Sequence, residues 1–331
     1  MVRQGARAAA ALGAAAALAT SYLLWQAQAV RRVDRRLPAP GCPPDLDGLT
    51  VVQLSDFHAG FRPSLNARAT RKAVDLAVAA EPDLVLITGD FASGPGGRAE
   101  LLAELRRLRP PLGVYAVLGN HDHGDSKAPF VRATDPHDLA AAGVRVLTNE
   151  CALVSRGAGV IQICGVDDAS GGHTDLPRAL GGLDRRPGVL RLLLSHQADV
   201  VLETAPGDFA LTLAGDTHGG QICLPFPGRR LLLSDLSARF AEGGYEPEGR
   251  ALYVTRGVGT SMLPFRAFCR PEIVVFRVEI IVSEPAPGDR ERRITGRHEV
   301  AAVRCCAAGA PRCRAPGAAL SSHRVPRSAR T

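Results

Sequence analysis

With 331 residues, 46% of them hydrophobic, the chain is long enough to bury a substantial core, and one large domain with appendages fits better than two domains. Its net charge of +7 is no nucleic-acid footprint: ten Arg against four Asp or Glu after Ser283 account for six of the seven charges, and the body is close to neutral. The eight cysteines (Cys42, Cys151, Cys164, Cys223, Cys269, Cys305, Cys306 and Cys313) include no C-x-x-C pair and read as small buried hydrophobes rather than zinc ligands or a disulfide framework.

Residues 1–36 read as a targeting segment. The run from Ala8 to Val30 carries no charge, follows Arg3 and Arg7, and is long enough to cross a bilayer. It ends in Ala27, Gln28 and Ala29, a pattern that suits signal-peptidase cleavage, and Arg31, Arg32, Arg35 and Arg36 follow at once. Positive charge on both flanks leaves the orientation open, and a retained membrane anchor and an exported precursor are both open. A membrane is an expected partner through this N-terminal segment. Residues 37–48, rich in Pro, read as a stiff spacer to a domain over 49–283.

Within that domain short apolar runs recur: "LTVVQLS", "LVLITG", "VYAVLG", "VIQICGV", "LRLLLS", "ALTLAG", "LYVTRG" and "IVVFRVEIIV". Their Val, Ile and Leu suit strands buried on both faces. Helical patterns such as "ARATRKAVDLAVAA" and "RAELLAELRRL" lie between several of them, which argues an α/β fold. Polar residues follow the strands. "VVQLSDFH" delivers Asp56 and His58, "LVLITGD" Asp90, "VYAVLGNHD" Asn120, His121 and Asp122, "LLLSH" His196, and "LTLAGDTH" Asp216 and His218. Sites of α/β sheets form at the carboxyl ends of strands, where loops converge. Each piece alone is a common turn, but independent turns have no reason to keep choosing His, Asp and Asn in this order. Mixed nitrogen and oxygen donors in this number suit two divalent first-row ions. The last 48 residues, 284–331, have no apolar periodicity and read as a basic disordered tail.

The ordered set resembles the calcineurin-like metallophosphoesterase superfamily, whose signature runs D-x-H, G-D, G-N-H-D/E, a lone H and then G-H-x-H. The match spans about Leu49 to Val282. Two further stretches, "GDTHGGQI" and "LYVTRGVGTSMLPFRAFCRPEI", resemble its bacterial branch of membrane-associated or exported phosphoesterases. The resemblance implies a four-layer α/β/β/α sandwich of two β-sheets flanked by helices. It also implies Asp56, His58 and His218 as ligands of one metal, Asn120 and His196 as ligands of the other, and Asp90 bridging both. Between such ions water becomes a nucleophile near neutral pH. His121 is then no ligand but stands near the leaving-group oxygen, where an imidazole can give a proton.

Two positions depart from the pattern. The family usually has His where this chain has Asp216; a carboxylate reaches about as far as Nδ1 of His, so it can replace a contact made through Nδ1 but not one made through Nε2. The exchange adds a negative charge and favours Mn²⁺ or Fe²⁺ over Zn²⁺. Ser93 stands where many relatives carry Asp, which leaves the partner of His121 open, and Asp122 is no assured substitute. Arg256 is a candidate phosphate contact or a packing residue. His123, His137 and His173 read as solvated loop residues, and Asp167 and Asp168 as turn or cap residues.

The expectation is a metal-dependent hydrolase of phosphoric esters, acting on a diester or a lipid-linked phosphate at a membrane. A phosphomonoesterase on a soluble nucleotide, or a catalytically weak metal-binding scaffold, are the alternatives. Against the last stands the intact set, since drift would not spare every member.

Overall fold

The computed structural model describes residues 2–60, 63–94, 96–125, 133–226, 229–232 and 238–281. The chain begins with helix α1 (Val2–Gln28) and strand β1 (Arg31–Pro38), then runs β2 (Thr50–Leu54), α2 (Pro63–Val78), β3 (Leu84–Thr88), α3 (Arg98–Leu105), β4 (Val114–Val117), the single turn α4 (Asn120–His123), α5 (Pro136–Ala141) and β5 (Val144–Val146). A second series follows: β6 (Glu150–Arg156), β7 (Gly159–Gly165), α6 (Leu176–Gly181), β8 (Val189–Leu194), β9 (Leu211–Ala214), the hairpin β10 (Cys223–Phe226) and β11 (Arg229–Leu232), β12 (Gly243–Tyr245), β13 (Leu252–Val254) and β14 (Glu272–Glu279).

Two six-stranded sheets result, in the orders β1-β14-β2-β3-β4-β5 and β12-β13-β9-β8-β7-β6. The centre of each is parallel, β2 to β5 in the first and β7, β8, β9 and β13 in the second, so consecutive strand ends open on the same edge. Period-2 alternation decides which residues meet between the sheets. Val51, Leu84, Leu86 and Val117 point inward against Ile161, Ile163, Leu192, Leu194 and Leu213. Val52, Leu54, Val85 and Ile87 point outward, under Ala69, Ala73 and Ala77 of α2 and Leu101 and Leu105 of α3. On the second sheet, Cys164 and Leu193 pack against Leu176 and Ala179 of α6. The fold is therefore the expected four-layer α/β/β/α sandwich, with all eight strand-like runs present as β2, β3, β4, β7, β8, β9, β13 and β14.

The N-terminal boundaries differ from the expectation. Arg31–Pro38, divided above between a targeting segment and a spacer, pairs in parallel with β14 over its full length, and Leu37, Ala39, Leu46 and Leu49 are buried. An edge strand with one solvated face needs few apolar residues, so its four Arg hid it. The cysteine reading is also corrected: Cys151 and Cys164 sit at paired positions of β6 and β7 and form a disulfide. A separation of 13 residues gives no motif; only the register of the strand pair brings the two together. The tail expected over 284–331 lies outside the described residues.

Candidate dinuclear metal centre

The loops leaving β2 and β3 stay side by side beyond the sheet, with the Asp56 N–H donating to Gly89 O (2.9 Å) and the His58 N–H to Asp90 O (3.0 Å). That continuation sets Asp56, His58 and Asp90 along one line. The backbone pays for it locally, since Asp56, His58, Asp90, Asp216 and His218 all have positive φ, between 46° and 70°. Two glycines make room. A Cβ on Gly89 would lie 2.7 Å from His196 Nδ1, and one on Gly119 would lie 2.3 Å from Asp90 Oδ1, which is why both G-D and G-N-H need Gly first.

Every residue expected at the site except Asn120 has its functional atoms placed against another member. His58 Nε2 and His218 Nε2 face each other at 2.8 Å, with Asp56 Oδ1 at 3.7 Å from the latter. Asp90 Oδ2 lies 3.4 Å from His58 Nε2 and 3.4 Å from His196 Nε2, between the two groups. On the far side Asp216 Oδ1 is 3.4 Å from His196 Nε2. The His196 ring is fixed because Nδ1–H donates to Thr88 O at 2.7 Å, leaving Nε2 as its inward atom. Among the described residues, six buried side-chain polar atoms have no hydrogen-bond partner, and three are here: Asp56 Oδ2, Asn120 Oδ1 and His196 Nε2. A buried polar atom left unpaired costs about 1–3 kcal/mol, so two in this cluster, on Asp56 and His196, with a third on Asn120 beyond the end of β4, point to a ligand that completes them. The carboxylate and imidazole atoms of Asp56, His58, Asp90, His196 and His218, grouped within 4.8 Å in threes, fit divalent metal.

A model of the calcineurin-like phosphoesterases matches residues 49–226, more than half the chain. The chain belongs to the calcineurin-like phosphoesterase family. It is 33% identical over 242 residues to the metallophosphoesterase YkuE of Bacillus subtilis, covering 72% of this chain and 81% of that one. It is 33% identical over 275 residues to a transmembrane protein with metallophosphoesterase domain from Danio rerio, covering 78% of this chain and 59% of that one. To the UDP-2,3-diacylglucosamine pyrophosphatase LpxG of Chlamydia muridarum it is 29% identical over 304 residues, covering 74% of this chain and 88% of that one. The family's activity, hydrolysis of phosphoric esters at a metal site, is therefore this chain's class of activity.

Within this member of the calcineurin-like phosphoesterases, Ser93 occupies the position where the resemblance implies Asp. Its hydroxyl bridges His58 Nδ1 (2.5 Å) and His121 Nδ1 (2.7 Å). One direction of protons satisfies both ends if His58 Nε2 is a ligand: His58 Nδ1–H donates to Ser93 Oγ, and Ser93 O–H donates to His121 Nδ1. His121 is then held as the tautomer with its proton on Nε2, the end away from Ser93. Burial holds its pKa below the ordinary value, so that tautomer is neutral. Asp122 does other work, accepting from the N–H of Phe91, Ala92 and Gly119 and from Thr134 Oγ1.

Sequence reasoning missed Arg266. Fully buried, its guanidinium donates to Gly259 O and Arg256 O and lies 3.2 Å from His218 Nδ1. Nothing in its local sequence sets it apart from its exposed neighbour Arg270. The candidate Arg256 is paired instead with Glu242 (2.6 Å) and Glu272 (3.8 Å). His123 and His173 stack at 3.9 Å, each bonded to a carboxylate, Asp167 and Asp125; His123 is half-buried, whereas His173 and His137 are exposed, as expected of solvated residues. Asp168 organises its loop by accepting from Ser170 Oγ and Gly171 N–H.

Burial, with Asp90 and Asp216 close by, raises Asp56 to about 7. Burial opposes charge on His196, but Asp90 and Asp216 outweigh it and lift its pKa well above the ordinary value. In metal-free protein at neutral pH His196 holds its extra proton and Asp56 is about half protonated, and both must release these protons to bind a cation. Metal uptake should therefore release protons, and apparent affinity of stripped protein should rise severalfold between about pH 6 and pH 8. Calorimetric titration with Mn²⁺ in buffers of different ionisation enthalpy measures both; an affinity independent of pH would contradict the assignment.

Proposed function

We propose that this chain is a dinuclear metal-dependent phosphodiesterase, anchored by α1 and acting on lipid-linked or membrane-proximal phosphate. One observation carries the dinuclear reading: Asp90 Oδ2 stands 3.4 Å from both His58 Nε2 and His196 Nε2, as one carboxylate shared by two ligand groups would. Asp56, His58, His218 and Asp90 would hold the first ion; Asp90, Asn120, His196 and Asp216 the second. Bound there, the ions would activate water and neutralise phosphate oxygens. His121 would present Nε2–H to the leaving group. The oxygen-rich second group favours Mn²⁺, with Fe²⁺ or Zn²⁺ as lesser fits.

Charge favours a diester over a monoester. Asp216 adds a negative charge to the site, and Arg256 is already neutralised by Glu242 and Glu272, so the second ionisation of a monoester finds less support. The LpxG relative, named for a lipid-bearing diphosphate, has the same character. Retention of α1 is supported by its last turn: Gln26 and Ala27 are buried, the latter within the stretch that resembles a cleavage site. The disulfide of Cys151 and Cys164 supports a domain on the oxidising side of the membrane.

Metal content of the full chain, with hydrolysis of bis- and mono-p-nitrophenyl phosphate in Mn²⁺, tests the proposal. It expects two ions per chain and a preference for the diester; one ion, or faster monoester hydrolysis, would refute it. Asp216→Ala is expected to lose the second ion selectively and about 10²-fold in turnover. Asp216→His should restore two ions and shift preference toward Zn²⁺. If Asp216→Ala binds both ions as tightly as the parent, Asp216 is no ligand.

A further inference from the structure

The loop from Ser261 to Arg270 touches both the candidate metal centre and the end of α1. On its inner side the preceding turn is bonded into the site: Val258 N–H donates to Ser55 O and Gly259 N–H to Asp56 O, while Arg266 lies against His218. On its outer side it runs along α1. Arg266 N–H donates to Leu23 O (3.4 Å), Arg270 Nε to Ala29 O (2.9 Å), and the Arg270 guanidinium covers the Trp25 ring at 5.8 Å. Large apolar side chains project outward here: Met262 is 80% exposed, Phe268 50%, Leu263 49%, Trp25 56% and Tyr22 45%. Met262 and Phe268 also have positive φ, 58° and 53°. At Met262 a backbone strained so as to hold a large apolar side chain in water is doubly unfavourable unless something covers it.

We propose that the Ser261–Arg270 loop and the end of α1 form a membrane-docking surface that seats the domain on the bilayer and brings the metal centre to phosphate head groups held in that leaflet. This rests on the anchored reading of α1 above. The occupant follows from continuity with that helix, whose apolar span covers Gln4–Gln28. From Arg7 to Trp25 it extends about 27 Å at 1.5 Å per residue, near the thickness of a hydrocarbon core. Tyr22 and Trp25 then fall at the lipid–water boundary, where such rings concentrate, and the loop lies at their level. Only Ala29 and Val30 separate α1 from β1. Two residues span at most about 7 Å, so a domain tied this closely cannot stand away from the bilayer.

Trp25 is the sole tryptophan of the chain, which makes a direct test possible. The full chain carrying Trp25→Phe and Met262→Trp is reconstituted into vesicles of phosphatidylcholine with a minor share of phosphatidylglycerol. Brominated phosphatidylcholine is expected to quench its fluorescence by about half or more, as for an interfacial ring. Leu153→Trp in the same Trp25→Phe background, on the edge strand β6, should stay unquenched. An unquenched Trp at 262, or equal quenching at both positions, overturns the docking surface and leaves a protein partner as the cover. A second arm adds function: Met262→Asp with Leu263→Asp should slow hydrolysis of phosphatidyl-p-nitrophenol in these vesicles about ten-fold, and leave that of soluble bis-p-nitrophenyl phosphate unchanged. Equal effects on both substrates, or none, also overturn it. If the parent hydrolyses neither substrate, the proposed activity fails, while the quenching result stands by itself.

Discussion

Replacing Asp90 with Asn is expected to strip both ions together and lower turnover by ~10³-fold or more, since the large gain in water acidity that a metal centre supplies disappears with them. The backbone should tolerate the change, because Asn accepts the left-handed conformation that Asp90 holds at φ 56°. What is lost is charge. Burial acts to raise the pKa of Asp90, yet His196 and His58 outweigh it and hold the carboxylate ionised. An amide keeps the shape but gives neither imidazole group a counter-charge to share with a cation. Metal analysis beside rate measurement checks this, and a variant that keeps two ions per chain would show that Asp90 does not bridge.

The second large effect separates proton donation from metal binding at His121. His121→Gln should retain both ions and lose about 10²- to 10³-fold on esters with poor leaving groups, against a few-fold on p-nitrophenyl esters, whose leaving group scarcely needs a proton. Metal content is an essential readout, since His121 could also join His58 and Asp90 as a donor group by distance alone. Loss of an ion would make it a ligand. Equal losses on both kinds of ester would make it a stabiliser of phosphate charge. Its Nδ1 is already engaged by Ser93, which favours the donor role for Nε2.

The α/β class and the candidate site residues were legible in the sequence because parallel strands buried on both faces are apolar throughout, so the polar residues that end them stand out; the two-sheet sandwich was implied only by the family resemblance. Asp56, Asp90, Asn120, His196 and Asp216 could be picked out in this way. Strand β1 could not, because it is an edge strand whose pattern is four Arg among few apolar residues. Arg266 was invisible because burial of a guanidinium depends on carbonyls from Gly259, Arg256 and His218 that only folding gathers. The Cys151–Cys164 bond needed the register of β6 on β7. Ser93 was noticed as a departure, but its place between two imidazoles is a fact of three dimensions.

The five left-handed residues of the centre bear on how this protein could change over generations. For an L-residue that conformation costs roughly 1–2 kcal/mol, whereas Gly adopts it freely and Asn at reduced cost. Drift to Gly would relieve that backbone cost but forfeit side-chain contacts: Asp56 Oδ1 accepts from the Asp216 N–H, Asp90 Oδ1 from the His121 N–H, and His58 is bonded to Ser93, so a buried void and orphaned donors would replace the strain. None of the five is Gly, so the chain carries the backbone cost at every position where the side chain stands against the rest of the centre, and its tolerance of change there is set by side-chain contacts rather than by the turn.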